Sequence, residues 1–238
     1  MDALLLHSGH IAETLGLALL LGLVSGFKHA FEPDHVIALS TLMHRESRWR
    51  RIAWMGSLWG LGHTTTLVAG VLLIRVFQMQ VSETTLGYFE VPVAAMLVGL
   101  GVWAVWEGVR HARSVHSHTH DAVSHAHVGD HPHPHGFAEW RSGWSSFGVG
   151  LVHGLAGSGA MLLLVGAALP TLTQGLLYSL VYGGGSILGM VGVAIGLAVP
   201  FRAAQSRPLF YAGLTGVSGV LSVALGALIV WEMSGGIA

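Results

Sequence analysis

The chain alternates long apolar runs with short polar breaks. A bilayer core takes about 20 apolar residues per helix, and six segments approach or exceed that length. They run at about Ile11–Met43, Ile52–Ile74, Gly87–Val109, Trp144–Leu169, Leu172–Val199 and Leu209–Met233. The first is too long for one straight span, and it is broken by G-F-K-H-A-F-E-P-D-H at 26–35. Pro33 removes a backbone donor and clashes with the preceding turn, and it pushes Glu32 away from helical geometry. The pattern predicts an all-α integral membrane protein of six transmembrane helices, the first broken near Pro33.

The distribution of charge gives the spans a direction. With the N-terminus outside, the inner loops carry Arg45, Arg48, Arg50, Arg51, Arg110, Arg113, Arg141, Arg202 and Arg207, and the outer side carries only Arg75. By the positive-inside rule, both termini are expected outside. Composition agrees: 52% of the residues are hydrophobic and 10% charged, against about 25% charged in soluble domains. A formal net charge of −1 argues against nucleic acid as a partner, and the absence of cysteine excludes thiolate metal sites. The bilayer is the expected environment.

The two halves of the chain are weakly alike. S-L-W-G-L-G-H-T-T-T-L-V-A-G (57–70) aligns without gaps to S-L-V-Y-G-G-G-S-I-L-G-M-V-G (179–192). G-V-W-A-V-W-E (101–107) aligns to G-A-L-I-V-W-E (226–232), and Gly26-x-x-His29 has a counterpart in Gly150-x-x-His153. Three helices per repeat is an odd number, so the halves are expected to be inverted relative to each other. That is a transporter architecture, with its site near mid-depth on discontinuous helices. The organisation reads as residues 1–110, a first three-helix repeat; 111–142, a His-rich cytoplasmic loop; and 143–238, a second three-helix repeat. The loop holds nine of the sixteen histidines within 111–135. It is polar and lacks a hydrophobic period, so it is expected to be disordered, with its imidazoles serving as a low-affinity metal buffer.

Ionisable groups in hydrocarbon cost at least a few kcal/mol and usually line a site or a path. His29, His35, His63 and His153 fall inside the spans, with Asp34 and Glu32. Imidazole plus carboxylate without sulfur suits Ni, Co, Zn or Fe. On an intact helix, at about 100° per residue, Asp34 would sit roughly 140° and His35 roughly 240° from His29. An unwound turn at 30–33 is needed to bring the three together. The plainer alternative is a kinked helix whose polar groups pair internally, Lys28 with Glu32 for instance. Thr64 directly follows His63 and is the hydroxyl of L-G-H-T-T-T best placed to join a ligand set, although threonines in helices also bond back to carbonyls. His153 stands between ligand and packing roles. G-G-G-S at 183–186 is expected to break the fifth span, with close helix packing as the alternative, and Glu107 and Glu232 read as interface anchors.

These motifs resemble those of a known family. H-A-F-E-P-D-H is similar to the His-x4-Asp-His signature of the nickel/cobalt transporters, and L-G-H-T-T-T to their second signature. G-L-V-H-G-L-A-G-S-G-A and Y-G-G-G-S-I-L-G-M resemble the short UreH-like branch of that superfamily, associated with urease maturation. The resemblance implies a metal set of His29, Asp34, His35 and His63, to which the residue reading adds Thr64, for its place beside His63, and His153, for its repeat match to His29. It implies Ni2+ as transported substrate, with Co2+ second, and a bacterial inner (plasma) membrane. A cytoplasmic metallochaperone or a urease or hydrogenase maturation protein is the partner it suggests. Uptake is the expected direction. Efflux and, less favoured, an intramembrane metal-dependent hydrolase are the alternatives. Against the hydrolase, no H-E-x-x-H occurs, and the protein is not expected to be an enzyme.

Overall fold

The computed structural model describes residues 2–113, 115–120, 123–128, 137–154 and 164–235. Helix α1 (Asp2–His29) is followed after a three-residue break by α2 (Pro33–Met43). Then come α3 (Trp49–Phe77), the short α4 (Glu83–Tyr88) and α5 (Glu90–Arg113). After the strands β1 (Val115–His120) and β2 (Val123–Val128) come α6 (Phe137–His153), α7 (Leu172–Ala204) and α8 (Pro208–Met233). Four of these, α3, α5, α7 and α8, are long and apolar enough to cross a membrane, and the apolar stretch Gly16–His29 is a shorter one. Their outer faces carry large apolar side chains in the open, such as Leu20, Leu188 and Val220, each more than half exposed. Soluble proteins rarely expose contiguous apolar patches of this kind; in lipid such a surface is the favourable one.

The packing is reciprocal. α1 lies along α7, α6 lies along α3, α3 also packs on α7, and α5 pairs with α8. Two glycines set the closest approaches. A Cβ at Gly26 would collide with the Tyr182 carbonyl and stand 3.1 Å from the Ser186 nitrogen. One at Gly150 would collide with the Trp59 carbonyl and stand 3.1 Å from the His63 nitrogen. Small residues at such crossings let helix backbones touch. Ser186 adds a bond there, its Oγ donating to the Gly26 carbonyl at 3.2 Å.

Short α2 sits in the middle of the molecule. It packs on α5, α7 and α8. Its Ala38, Leu39 and Met43 belong to a core cluster with Ile52, Met55 and Trp59 of α3, Leu97 of α5 and Met190 of α7. Helix α7 starts at a capping box: the Thr171 side chain accepts from the Gln174 backbone nitrogen and the Gln174 side chain from that of Thr171, both at 3.2 Å. Arg75 ties the end of α3 to the other half through the Ala167 and Pro170 carbonyls, 3.1 Å each.

Three expectations are corrected. The fourth apolar segment is not one helix: α6 ends at His153 and Gly154 forms a turn, while residues 164–168 are helical. The Gly-rich motif at 155–160 lies outside the described residues. G-G-G-S at 183–186 does not break α7, which is continuous through it; Gly183 packs on Thr64 instead. Within the His-rich loop, β1 and β2 pair antiparallel, with His116 opposite His127 and His118 opposite His125. The reading of disorder missed a period of two: V-H-S-H-T-H alternates as a strand does, and its valine and threonine favour strands.

Candidate metal centre

Geometry at the centre begins with the interruption between α1 and α2. The helix stops at His29, and the Phe31 and Glu32 nitrogens turn back to the Lys28 and His29 carbonyls at 2.9 and 3.0 Å. Glu32 adopts an extended conformation (φ −63°, ψ 146°), as a residue before proline must. Pro33 then opens α2 at its first position, where the missing N–H costs nothing. The chain has thus rotated between His29 and Asp34, and the angular offset of a continuous helix no longer applies.

His29, His35 and His63 come together through this turn. One nitrogen from each ring lies within 4.8 Å of the others. The ring centroids of His29 and His35 are 4.3 Å apart, those of His29 and His63 4.8 Å, and those of His35 and His63 5.6 Å. All three side chains are buried, at 3% exposure or less. Ligand nitrogens at about 2.1 Å from a metal stand no more than about 4.2 Å from each other, so an ion needs only a small contraction of this set.

Asp34 organises the neighbourhood. Its Oδ1 faces His35 Nδ1 at 2.9 Å and also accepts the His35 backbone N–H at 2.9 Å. Its Oδ2 faces His153 Nε2 at 2.8 Å. A carboxylate only accepts, so the hydrogens are assigned to His35 Nδ1 and His153 Nε2. That leaves lone pairs on His35 Nε2 and His153 Nδ1, both buried and without a hydrogen-bond partner among the described residues. Among the described residues His63 makes no hydrogen bond at either ring nitrogen, and it is fully buried. Leaving a buried polar group unpaired costs about 1–3 kcal/mol, and such groups call for an explanation. A divalent cation is one: it accepts lone pairs where no hydrogen-bond donor stands. Glu32 does for His29 what Asp34 does for His35, with Oε2 3.2 Å from His29 Nδ1. A carboxylate behind a ligating imidazole fixes its tautomer and raises its basicity.

The residues named from sequence therefore fall in three positions. His29, His35 and His63 converge. Asp34 and His153 form a second group that shares His35 with the first. Thr64 neighbours the site in sequence, but its Oγ1 donates to the Gly60 carbonyl at 2.7 Å within α3. Sequence reasoning linked Glu32 to Lys28; the structure turns Glu32 to His29, and the i, i+3 spacing across the break was the available signal. Tyr182 was not singled out. Its ring lies 5.8 Å from that of His29 and is 1% exposed. Glu107, read as an interface anchor, instead bonds Arg45 and faces His44.

With this geometry in place, relatives are informative. The chain is 33% identical over 215 residues to the urease accessory protein UreH of Bacillus sp. (strain TB-90), covering 90% of this chain and 91% of that one. It is 23% and 25% identical to the chloroplast proteins FOR GROWTH AND FERTILITY 2 and 1 of Arabidopsis thaliana, over 88% of this chain in each case. It spans 55% and 57% of those two proteins' lengths. No protein-family model matches the chain, and no solved structure does. Identity of this level along nearly the whole of both chains makes the protein a member of the UreH-like family, the short branch of the nickel/cobalt transporter superfamily that its motifs resemble.

Proposed function

We propose that the protein carries Ni2+, with Co2+ as second cargo, across a bacterial inner membrane, in the direction of uptake. The observation that carries this reading is the convergence of His29, His35 and His63, backed by carboxylates, at the break between two helices. Its nickel assignment leans on the relative, named as an accessory protein of urease. Neutral imidazoles without thiolate are a borderline set that accepts nickel and cobalt.

In this reading, six spans form two inverted three-helix repeats, with both termini outside and the His-rich segment in the cytoplasm. The reciprocal crossings of α1 on α7 and α6 on α3 support it, as do the matched contacts of Gly26 and Gly150. Hydrated metal enters from one side and exchanges water for His29, His35 and His63. Asp34 holds His35 in its ligating tautomer and draws His153 toward the ion, and Glu32 holds His29. The ion is released when one half rocks against the other, because His29, His35 and His63 stand on the first half while His153, the partner of Asp34, comes from α6 in the second. The His-rich segment receives ions on the cytoplasmic side and hands them to a metallochaperone or a urease maturation protein. Binding is moderate, since a closed cage would trap its cargo.

The test is nickel-63 uptake into proteoliposomes, with cobalt and zinc as competitors, for the wild type and for His63→Ala. Uptake that the substitution leaves intact would remove the assignment. Metal content of expressing cells separates the directions: it rises for uptake and falls for efflux.

A further inference from the structure

A second buried pair of titratable groups lies away from the metal centre. His44 is the C-cap residue of α2 and is fully buried. Glu107 comes from α5 and is 9% exposed. His44 Nε2 and Glu107 Oε2 are 3.5 Å apart, and among the described residues neither atom makes a hydrogen bond. The other ring nitrogen, Nδ1, is 2.7 Å from the Thr41 carbonyl. A carbonyl can only accept, so Nδ1 carries a hydrogen. A neutral His44 would then aim the lone pair of Nε2 at a carboxylate oxygen. A single proton placed between them turns that repulsion into a charge-assisted hydrogen bond, among the strongest a protein makes.

The surroundings select a proton over a metal ion. Arg45 Nε donates to the other Glu107 oxygen, and its guanidinium lies 5.2 Å from the Trp103 ring. A fixed cation on the same carboxylate disfavours a divalent ion. The Arg45 side chain is 57% exposed, so the pair lies one residue from water. The Tyr211 hydroxyl of α8 donates to the His44 carbonyl at 3.0 Å, and the His111 ring of α5 lies tilted against that of Tyr211 with centroids 5.1 Å apart. Trp103 and Phe201 wall the imidazole at 5.3 and 6.2 Å. The titratable and charged groups facing the pair from α5, α8 and the α2–α3 turn are therefore Arg45, His111 and Tyr211; α7 contributes the apolar Phe201.

We propose that His44 and Glu107 hold the coupling proton of the transport cycle, at the opposite end of α2 from the metal. The inference rests on the transport reading above and names its driving ion. The first turn of α2 holds Asp34 and His35, and the helix ends against its C-cap His44. Its 11 residues span about 16 Å as one rigid element. A tilt that opens the metal ligands also shifts His44 against α5 and α8, so each site biases the other, and that coupling is reciprocal. With uptake, the proton travels with the metal, and an outside-acid gradient drives accumulation.

Proteoliposomes loaded with a pH indicator test this on the unaltered protein. Nickel entry should acidify the lumen; nickel entry with no pH change overturns the proposal. If no nickel crosses, the transport reading itself falls, and this one with it. Variants then locate the proton. Glu107→Gln and His44→Gln should retain nickel exchange at equal pH, which needs no net proton movement. Both should lose the stimulation by an acid-outside gradient, expected in wild type at about fivefold or more. Full gradient stimulation in both variants overturns the assignment to this pair. Should either variant fail to fold, the lumen measurement on wild type still decides whether a proton moves.

Discussion

The two helix breaks make an instructive pair. In the first half, α1 ends at His29, three residues after Gly26; in the second, α6 ends at His153, three residues after Gly150. Each glycine presses on the backbone of the other half's long helix. The scaffolds therefore match. The chemistry does not: the first break continues A-F-E-P-D-H and supplies two carboxylates and a second imidazole, while the second continues G-L-A-G-S-G. His153 reaches the centre by bonding to the first half's Asp34. The comparison teaches that the first half carries His29, His35 and His63 of the candidate centre, while the second half bears on it through His153. A Cβ at either glycine would meet a facing carbonyl, whereas the polar residues after the two breaks differ.

Breaking that asymmetry at its strongest point should have the largest effect. His35 is the one residue common to both groups of candidate ligands. His35→Ala should reduce nickel-63 uptake to the level of empty liposomes. Asp34→Asn keeps the shape but cannot accept from both His35 and His153 with two charged oxygens. A lost outer carboxylate typically costs 10–100-fold in metal affinity, and a drop of that order is expected in a binding titration. Equal loss in Asp34→Asn and His35→Ala would make Asp34 a ligand in its own right. His153→Gln removes only the lever, and about a tenfold loss is expected.

The scaffold has its own test. Gly26→Ala and Gly150→Ala each drive a methyl into a carbonyl of the facing helix. Overpacking of this kind typically costs about 1–3 kcal/mol. Both variants should melt earlier, by similar amounts, in a thermal unfolding assay of detergent-purified protein. A large loss for one and none for the other would show that the two crossings are not equivalent.

Much of this was legible in the chain. The apolar runs located α3, α5, α7 and α8 within a few residues, because a helix in lipid must be apolar along its whole length. Pro33 announced the first break, since proline restricts its own backbone and the preceding residue. The break after His153 was not legible: no proline marks it, and glycine alone signals either a turn or close packing. G-G-G-S at 183–186 shows the other outcome, as glycine inside the unbroken α7. The candidate residues of the centre could be named from the sequence, but not their arrangement. Which oxygen of Asp34 meets which imidazole depends on α6, more than 110 residues away in sequence. The His44–Glu107 pair escaped notice for the same reason. Its members come from the end of α2 and the last turns of α5, 62 residues apart for the adjacent Arg45–Glu107 bond. No local pattern joins them.

The smallest expected effect concerns Thr64. Sequence position beside His63 suggested a ligand, yet Oγ1 donates to the Gly60 carbonyl at 2.7 Å and the side chain rests against Gly183. Serine and threonine hydroxyls in helices commonly bond back in this way, with little net gain in stability. Thr64→Val keeps the branched shape that packs on Gly183 and removes only the hydroxyl. The Gly60 carbonyl remains in the helix, where it still has its backbone acceptor role. Nickel affinity and uptake should therefore stay within about twofold of wild type, since a side chain that only back-bonds contributes little. Thr64→Ser makes the opposite change, keeping the hydroxyl and losing the methyl that fills the crossing. If packing is the role, serine should lower the melting temperature while valine does not. If the hydroxyl instead swings onto the metal during the cycle, valine is the variant that fails, with serine unaffected. The pair thus separates the two halves of the comparison at one residue: scaffold on one side, ligand chemistry on the other.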